Sequence, residues 1–398
     1  MLTIPQILGR TIYRTLSQKF HKIGIDCHPP ENSFSISQSS GESFHHKIDV
    51  HDWSFFWDLV MGYDLGFAES YLQGKWDNND LSALFTHLAS QSTSSGRSIL
   101  VNLAPQKILA RAFQALRVSN TITWARRNIS AHYDLSNDFF ANFLDSSMTY
   151  SCAVFDNEEM TLEDAQYNKL VSLIERAEPC ENENVLDIGC GWGSLSRIAA
   201  TKYNANVTAI TLSNAQYDYA SNLFREHALE DKINLLNTDY RLLVGEYDHI
   251  FSVEMLEAVG HKGTKEFFEK CAALLRPDGT LQIQVITIPE ERYHSYRRNC
   301  DFIQKYIFPG GLLLSPDFIR EEAYKSGFDI HHEISIGHHY ITTLRHWRRN
   351  LENNQGKITQ LGFSERDFRR FMYYFSYCEG AFTSGRVGNH QFVLRKRL

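Results

Sequence analysis

Asn184-Val185-Leu186-Asp187-Ile188-Gly189-Cys190-Gly191-Trp192-Gly193-Ser194-Leu195 reads as a strand, a glycine turn and a helix in immediate succession. Val185, Leu186 and Ile188 suit a strand buried in a parallel sheet, Gly189, Gly191 and Gly193 let backbone approach a ligand closely, and helical spacing takes over from Leu195. A dinucleotide site calls for G-x-G-x-x-G with a pyrophosphate over the helix N-terminus, whereas this turn is D-x-G-x-G-x-G with an acid, Asp187, near the strand's end. An acid there opposes a pyrophosphate. It suits S-adenosylmethionine (SAM), whose ammonium, carboxylate and sulfonium groups need an acidic contact together with open backbone amides.

Short apolar runs follow at Val207 to Thr211, Ile233 to Leu236 and Tyr247 to Val253, separated by helical stretches such as Gln216 to Leu229. Strands alternating with helices predict a mostly parallel sheet that binds ligands at the carboxyl ends of its strands. That places Thr211-Leu212-Ser213 and Gln216 near the ribose of SAM and Asp239-Tyr240 near its adenine; no acid closes the second strand, so the Gln216 amide takes that work. The expected fold is α/β: a class I SAM-dependent methyltransferase, Rossmann-like, with a mostly parallel seven-stranded sheet, helices on both faces and a smaller N-terminal α+β domain.

The 398 residues, 43% hydrophobic and 13% aromatic, exceed one typical domain and supply an ample core. The Ser/Gly-rich stretch Ser90 to Ser98 reads as a loop, and the domain boundary is placed near 120, giving 1–120 as a membrane-associating domain and 121–398 as the catalytic one. A net charge of −7 carries no nucleic-acid signature, and no recognised binding module accompanies the basic residues. The charge is unevenly placed, however. Arg97, Lys107, Arg111, Arg117, Arg126 and Arg127 occupy a stretch without an acid, and Arg10, Arg14, Lys19 and Lys22 flank Ile4, Leu8, Ile12, Leu16 and Phe20 at helical spacing. Both read as surfaces for anionic phospholipid.

Seven cysteines without a C-x-x-C pair signal neither a disulfide framework nor a zinc site, which points to a reducing compartment. The histidines His331, His332, His338 and His339 lack a spaced carboxylate or cysteine to complete a coordination set, so no metal is expected. No run of 18 apolar residues and no signal-peptide core occurs, so membrane contact is expected to be peripheral, on the cytoplasmic face. The segments His132 to Phe140 and Met148 to Phe155 crowd aromatics with hydroxyls and read as a lid over the cofactor, with Tyr150 and Ser151 against it.

Taken together, Met148 to Phe155, Val185 to Gly193, Thr211-Leu212-Ser213 with Gln216, Asp239-Tyr240-Arg241, Asp301 to Gly311, His339 to Leu344 and Cys378-Glu379-Gly380-Ala381-Phe382 resemble the cyclopropane-fatty-acyl-phospholipid synthase and mycolic acid methyltransferase family. The resemblance covers roughly 125 to 394 and continues, less distinctively, into the N-terminal domain. It implies methyl transfer from SAM to the cis double bond of a phospholipid acyl chain, then proton loss and ring closure. It also implies a bound bicarbonate as proton acceptor, held by a glutamate at Glu257, the hydroxyl of Tyr340, backbone amides at Cys152 and Ile286, and a histidine. That histidine is absent. Gln284 stands at its position, and Ala258 replaces the histidine that usually follows the glutamate, a pairing similar to that of the plant synthases and a related bacterial branch. Gln284 still donates a hydrogen bond but carries no positive charge. Cys378 falls on a cysteine long suspected in the family and is given a supporting role. Tyr340, Phe308, Tyr306 and Tyr150 are candidates to face a carbocation.

Alternatives stay open at this point. The cation could lose its proton to give a methylene- or methyl-branched chain, or the fold could serve a small-molecule N- or C-methyltransferase. A third reading is a SAM- or lipid-binding protein that has lost catalysis, against which stand Glu257, Tyr340 and an intact glycine turn. The sequence leaves a homodimer open.

Overall fold

The computed structural model describes residues 2–31, 45–91 and 135–397. Its contacts divide the chain into two compact units, Met1–Ala115 with Arg298–Ile307 and Gln355–Arg386, and Leu116–Arg297 with Phe308–Asn354 and Val387–Leu398. The expected boundary near 120 lies outside the described residues, and a single cut there does not describe the chain, because two later segments return to the first unit. The reason is packing. The helix Glu365–Thr383 buries Phe371, Tyr373 and Phe375, and sets Tyr373 against Phe85 of the helix Leu81–Gln91 with ring centroids 4.8 Å apart. The first unit also holds a three-stranded sheet of β1 (Ile25–His28), β2 (His46–Val50) and β3 (Trp76–Asp77), with Trp76 fully buried beside Phe67.

The second unit is built on a seven-stranded sheet. Its strands are β4 (Asn184–Ile188), β5 (Asn206–Thr211), β6 (Ile233–Asn237), β7 (Tyr247–Val253), β8 (Leu275–Thr287), β9 (Phe328–Ser335) and β10 (Gly388–Lys396), in the order β6-β5-β4-β7-β8-β10-β9. Strands β4 to β8 are parallel, and β10 runs antiparallel to both β8 and β9. Successive residues of β4 face opposite sides, so Leu186 and Ile188 join one apolar cluster with Phe267 and Phe268, while Val185 joins another with Val207 and Phe224. Both faces are therefore covered, as continuous apolar strands require. From β4 the chain winds outward through β5 and β6 and then returns to the other side of β4 as β7. This reversal opens the crevice at the carboxyl ends of β4 and β7 where doubly wound sheets bind ligands.

Candidate active site

The glycine turn follows β4 directly into the helix Ser194–Lys202, with Gly189, Gly191 and Gly193 all at positive φ (+79°, +56° and +95°). Their surroundings differ. A Cβ on Gly189 would stand 2.9 Å from Met255 and one on Gly193 2.7 Å from Phe224, whereas one on Gly191 would meet no protein atom within 4 Å. Gly191 is thus the open side of the turn. Asp187 beneath it is buried and accepts a hydrogen bond from Ser196 Oγ at 2.7 Å; burial raises its carboxyl to about 6, against the lowering effect of Ser196 and Lys169. After β5, Thr211 Oγ1 donates to Gln216 Oε1 at 2.8 Å, and Ser213 caps the helix Asn214–Glu226 through the Gln216 amide. Thr211, Ser213 and Gln216 are all buried.

Residues 147–151 are pinned by two helices, the one that follows the turn and Leu162–Glu175. Ser194 Oγ donates to the Ser147 carbonyl, and the Gln166 amide donates to the carbonyls of Thr149 and Ser151 at 3.2 and 2.8 Å. Lys169, fully buried on the helix Leu162–Glu175, donates to Ser151 Oγ at 2.8 Å. Burial lowers its ammonium to about 8, opposed by the neighbouring Glu254 first and then by Cys152, Asp145 and Asp187. The part of the expected lid described here is therefore pinned by side-chain bonds; His132 to Asp134 lie outside the described residues.

The carboxylate of Glu254, just past β7, is the point on which the site converges. Its Oε1 accepts from the Cys152 amide at 3.0 Å, Gln284 Nε2 at 2.8 Å and Asn389 Nδ2 at 2.6 Å, and its Oε2 from the Tyr340 hydroxyl at 2.8 Å. Four donors on one acceptor suit an ionised group. The backbone of Glu254 is at φ +51°, and its amide donates to the Gln284 carbonyl at 2.7 Å. A left-handed conformation at a residue with a Cβ costs on the order of 1–3 kcal/mol and persists where surrounding contacts fix it. Behind Gln284 a chain of amides continues: its Oε1 accepts from Gln391 Nε2 at 2.8 Å, whose own Oε1 accepts from Arg176 Nη1 at 2.5 Å. The register of β10 on β8 opposes Gln391 to Gln284 and Asn389 to Ile286, which brings both side chains of β10 to this place.

Glu257, three residues on, accepts from the Ile286 amide at 2.6 Å through Oε1, while its buried Oε2 has no hydrogen-bond partner. Burial first, and then the charge of Glu254, raise its carboxyl to about 8, against the opposing Ile286 amide. It is the neutral member of a pair of acids with different environments. An ordinary glutamate loses its proton near about 4.3. Between roughly 5 and 8 the unfolded chain therefore binds fewer protons here than the folded one, and this group's contribution to stability falls as pH rises through that window. Glu257→Gln removes the loss. Its melting temperature should exceed the parent's by a margin that grows up to about pH 8 and then levels off; a margin flat with pH would contradict a neutral Glu257.

Aromatic rings cluster next to Tyr340. Tyr150 lies 5.1 Å from Trp347, 5.4 Å from Phe140 and 6.2 Å from Phe308 between centroids, and Tyr340 packs edge-on against Trp347 at 5.9 Å. The arrangement offers a glycine cradle, a half-buried carboxylate with four donors and a cluster of aromatic rings joined to it through Tyr340.

Residues 121–392 match the family model for mycolic acid cyclopropane synthetase. The chain belongs to this family. The tuberculostearic acid methyltransferase of Mycobacterium tuberculosis is 36% identical over 338 residues, 83% of this chain and 78% of that relative. A cyclopropane synthase structure from Mycobacterium tuberculosis matches with a TM-score of 0.65 at 32% identity, covering 68% of this chain and 98% of that one. A mycolic acid cyclopropane synthase solved with SAH and CTAB matches with a TM-score of 0.65 at 33% identity, over 68% and 98% of the two chains. As a member of the mycolic acid cyclopropane synthetase family, the chain is a SAM-dependent methyltransferase, and the site fits that donor: Gly191 leaves the cradle open, and Asp187 supplies the buried acid at the strand's end.

Within this family member the residues expected from sequence divide clearly. Cys152, Gln284 and Tyr340 meet on Glu254, and Ile286 meets Glu257. The Cys152 thiol itself is buried, pushed well up by burial, and donates to the Ala153 and Ile336 carbonyls, so it serves through its amide. Three other expected positions are placed as follows. Tyr306 belongs to the first unit, where its hydroxyl donates to Glu69 at 2.6 Å. Cys378 also belongs to the first unit, and its motif is a packing device. Glu379 accepts from Ser82 Oγ at 2.6 Å, and a Cβ on Gly380 would lie 2.7 Å from Phe85, so the glycine permits close helix contact. At β6's end the Asp239 carboxylate is held by Arg241 at 2.8 and 2.7 Å, and the Tyr240 ring turns into the core against Phe267. Glu254, Asn389, Gln391 and Lys169 were not expected; a second acid three residues before Glu257 was the one local signal.

Proposed function

We propose that the chain methylates the cis double bond of unsaturated phospholipid acyl chains and closes a cyclopropane ring. SAM supplies an electrophilic methyl group when bound. An alkene is a poor nucleophile, so the protein must hold the π-bond in line with that methyl and keep water from the carbocation that follows. Tyr150, Phe308, Tyr340 and Trp347 suit this task, each ring facing a desolvated cation contributing on the order of 0.5–2 kcal/mol. The observation that carries the reading is the half-buried, four-donor carboxylate of Glu254 beside these rings. Proton removal from a carbon cation needs such a base at hand, whereas transfer to an amine that carries its own lone pair does not. The printed names of the relatives, a tuberculostearic acid methyltransferase and cyclopropane synthases, also support an acyl substrate.

A methylene- or methyl-branched product is the second reading, supported by the name of the 36% identical relative, a methyltransferase and not a cyclopropane synthase. The ring and the methylene product follow the same proton loss from the transferred carbon; in one the electron pair closes a ring, in the other, after a hydride shift, it forms a new double bond.

For access to lipid, the first helix, Ile4–His21, supports peripheral membrane contact. Leu2, Ile4 and Ile7 are exposed at its start, and Arg14, Lys19 and Lys22 are exposed further along. Arg10 lies 3.6 Å from Glu31. The basic stretch from Arg97 to Arg127 lies outside the described residues. Among the described residues no helix is long and apolar enough to cross a membrane.

The test is transfer from methyl-labelled SAM to four acceptors: vesicles of cis-unsaturated phospholipid, vesicles of saturated phospholipid, free cis-unsaturated fatty acid and a panel of small amines. Label is expected in the unsaturated phospholipid. Label in an amine, with none in lipid, would overturn the reading.

A further inference from the structure

The donors that the family resemblance assigns to bicarbonate are already engaged. The Cys152 amide, the Tyr340 hydroxyl and the Gln284 amide group all donate to Glu254, the second Gln284 hydrogen goes to the Cys152 carbonyl at 3.2 Å, and the Ile286 amide is on Glu257. The residues present do not fit an added anion. They already hold one of the same charge and the same planar O–C–O shape, supplied by the chain. We propose that the Glu254 carboxylate stands in the place of bicarbonate and is the proton acceptor of the reaction, so that turnover needs no dissolved anion.

Three further observations converge on this assignment. The left-handed backbone at Glu254, φ +51°, is a conformation that glycine adopts without strain, and here it carries a side chain aimed at the donors. Asn389 adds a fourth donor from β10. The amide chain from Arg176 through Gln391 to Gln284 points each N–H toward Glu254, so a guanidinium two residues removed biases the donor end of Gln284. Aligned hydrogen bonds of this kind polarise one another. The charge that a histidine would place against an anion is thus delivered from a distance.

The inference rests on the proposed acyl substrate for its chemistry. Once the methyl carbon has bonded to one alkene carbon, the neighbouring carbon bears the positive charge. Glu254 takes a proton from the new methyl group, and the C–H electron pair forms the third ring bond. Glu254 is then neutral and returns the proton to water after the product leaves.

The experiment compares wild-type protein with Glu254→Gly and Glu254→Gln in CO2-free buffer, with and without added bicarbonate or formate. Wild-type turnover is expected to be unchanged by bicarbonate. Both variants should lose about 10²–10⁴-fold, the usual worth of a positioned base. Glu254→Gly, whose donors are vacated, should recover at least tenfold (about 1.4 kcal/mol) with either small carboxylate, while Glu254→Gln, whose amide fills the place, should not. A wild type that needs bicarbonate, or a Glu254→Gly enzyme fully active without it, would overturn the proposal. A second readout stands apart from the substrate: bicarbonate should raise the melting temperature of Glu254→Gly and leave the wild type unmoved. If wild-type protein transfers methyl to no lipid, the acyl reading fails while this binding test still decides whether Glu254 fills the anion position; equal shifts in both proteins would reject it.

Discussion

Gly191→Val should abolish SAM binding while leaving the fold intact. Gly191 sits at φ +56° with no protein atom within 4 Å of the position its Cβ would take. The backbone strain of a side chain in the left-handed region is on the order of 1–2 kcal/mol, too little to unfold a core of this size. The two added methyl groups, by contrast, would stand on the open side of the cradle and hold the cofactor off the backbone amides. A fall in SAM affinity of about 100-fold or more, about 2.7 kcal/mol, is expected by calorimetry, with a small change in melting temperature. The neighbouring glycines provide the contrast. Gly193→Ala would press on the Phe224 ring at 2.7 Å and Gly189→Ala on Met255 at 2.9 Å, so these variants should lose stability first. Unchanged SAM affinity in Gly191→Val would remove the turn from the binding site.

Tyr340→Phe should reduce turnover while leaving SAM affinity unchanged. The hydroxyl donates to Glu254 Oε2 at 2.8 Å, on the oxygen opposite the three other donors. A hydrogen bond to a charged group is worth about 1.5–3 kcal/mol, which corresponds to a loss of roughly 10- to 150-fold in kcat at about 1.36 kcal/mol per decade. The ring stays, so its edge contact with Trp347 is kept. Losses divided in this way, with kcat falling and SAM dissociation constant fixed, separate an effect on Glu254 from a disturbance of the cofactor site. A kcat within a factor of about two of wild type, well under 1 kcal/mol, would show that the Tyr340 hydroxyl does not set the base.

The parts of this architecture that were legible in sequence are those written in consecutive residues. The turn Asp187 to Gly193 announces a cofactor cradle because positive φ and close approach need glycine at fixed offsets, and the alternation of apolar runs with helical stretches announces the sheet. Cys152, Ile286, Gln284 and Tyr340 were reached through family resemblance, and all four do donate to acids of the site. What the sequence hid is which acid gathers them. Glu254 and Glu257 are separated by three residues, and only the left-handed backbone at Glu254 turns its side chain toward Cys152 and Tyr340. Asn389 and Gln391 were hidden because they arrive through antiparallel pairing of β10 with β8, more than a hundred residues away along the chain. Lys169 looked like any charged residue on an amphipathic helix, and its burial against Ser151 is a fact of packing. In the Cys378 motif, resemblance pointed at the thiol, whereas the constraint lies on Gly380 and its contact with Phe85.

The most direct test of the account supplies trideuteromethyl SAM with vesicles of cis-unsaturated phospholipid and reads the released fatty acids by mass and by NMR. If Glu254 removes a proton from the transferred carbon and the pair closes a ring, the product carries a CD2 group within a cyclopropane, two deuterons kept and one lost. A product that retains all three deuterons would mean that no proton leaves that carbon, and would contradict the role given to Glu254.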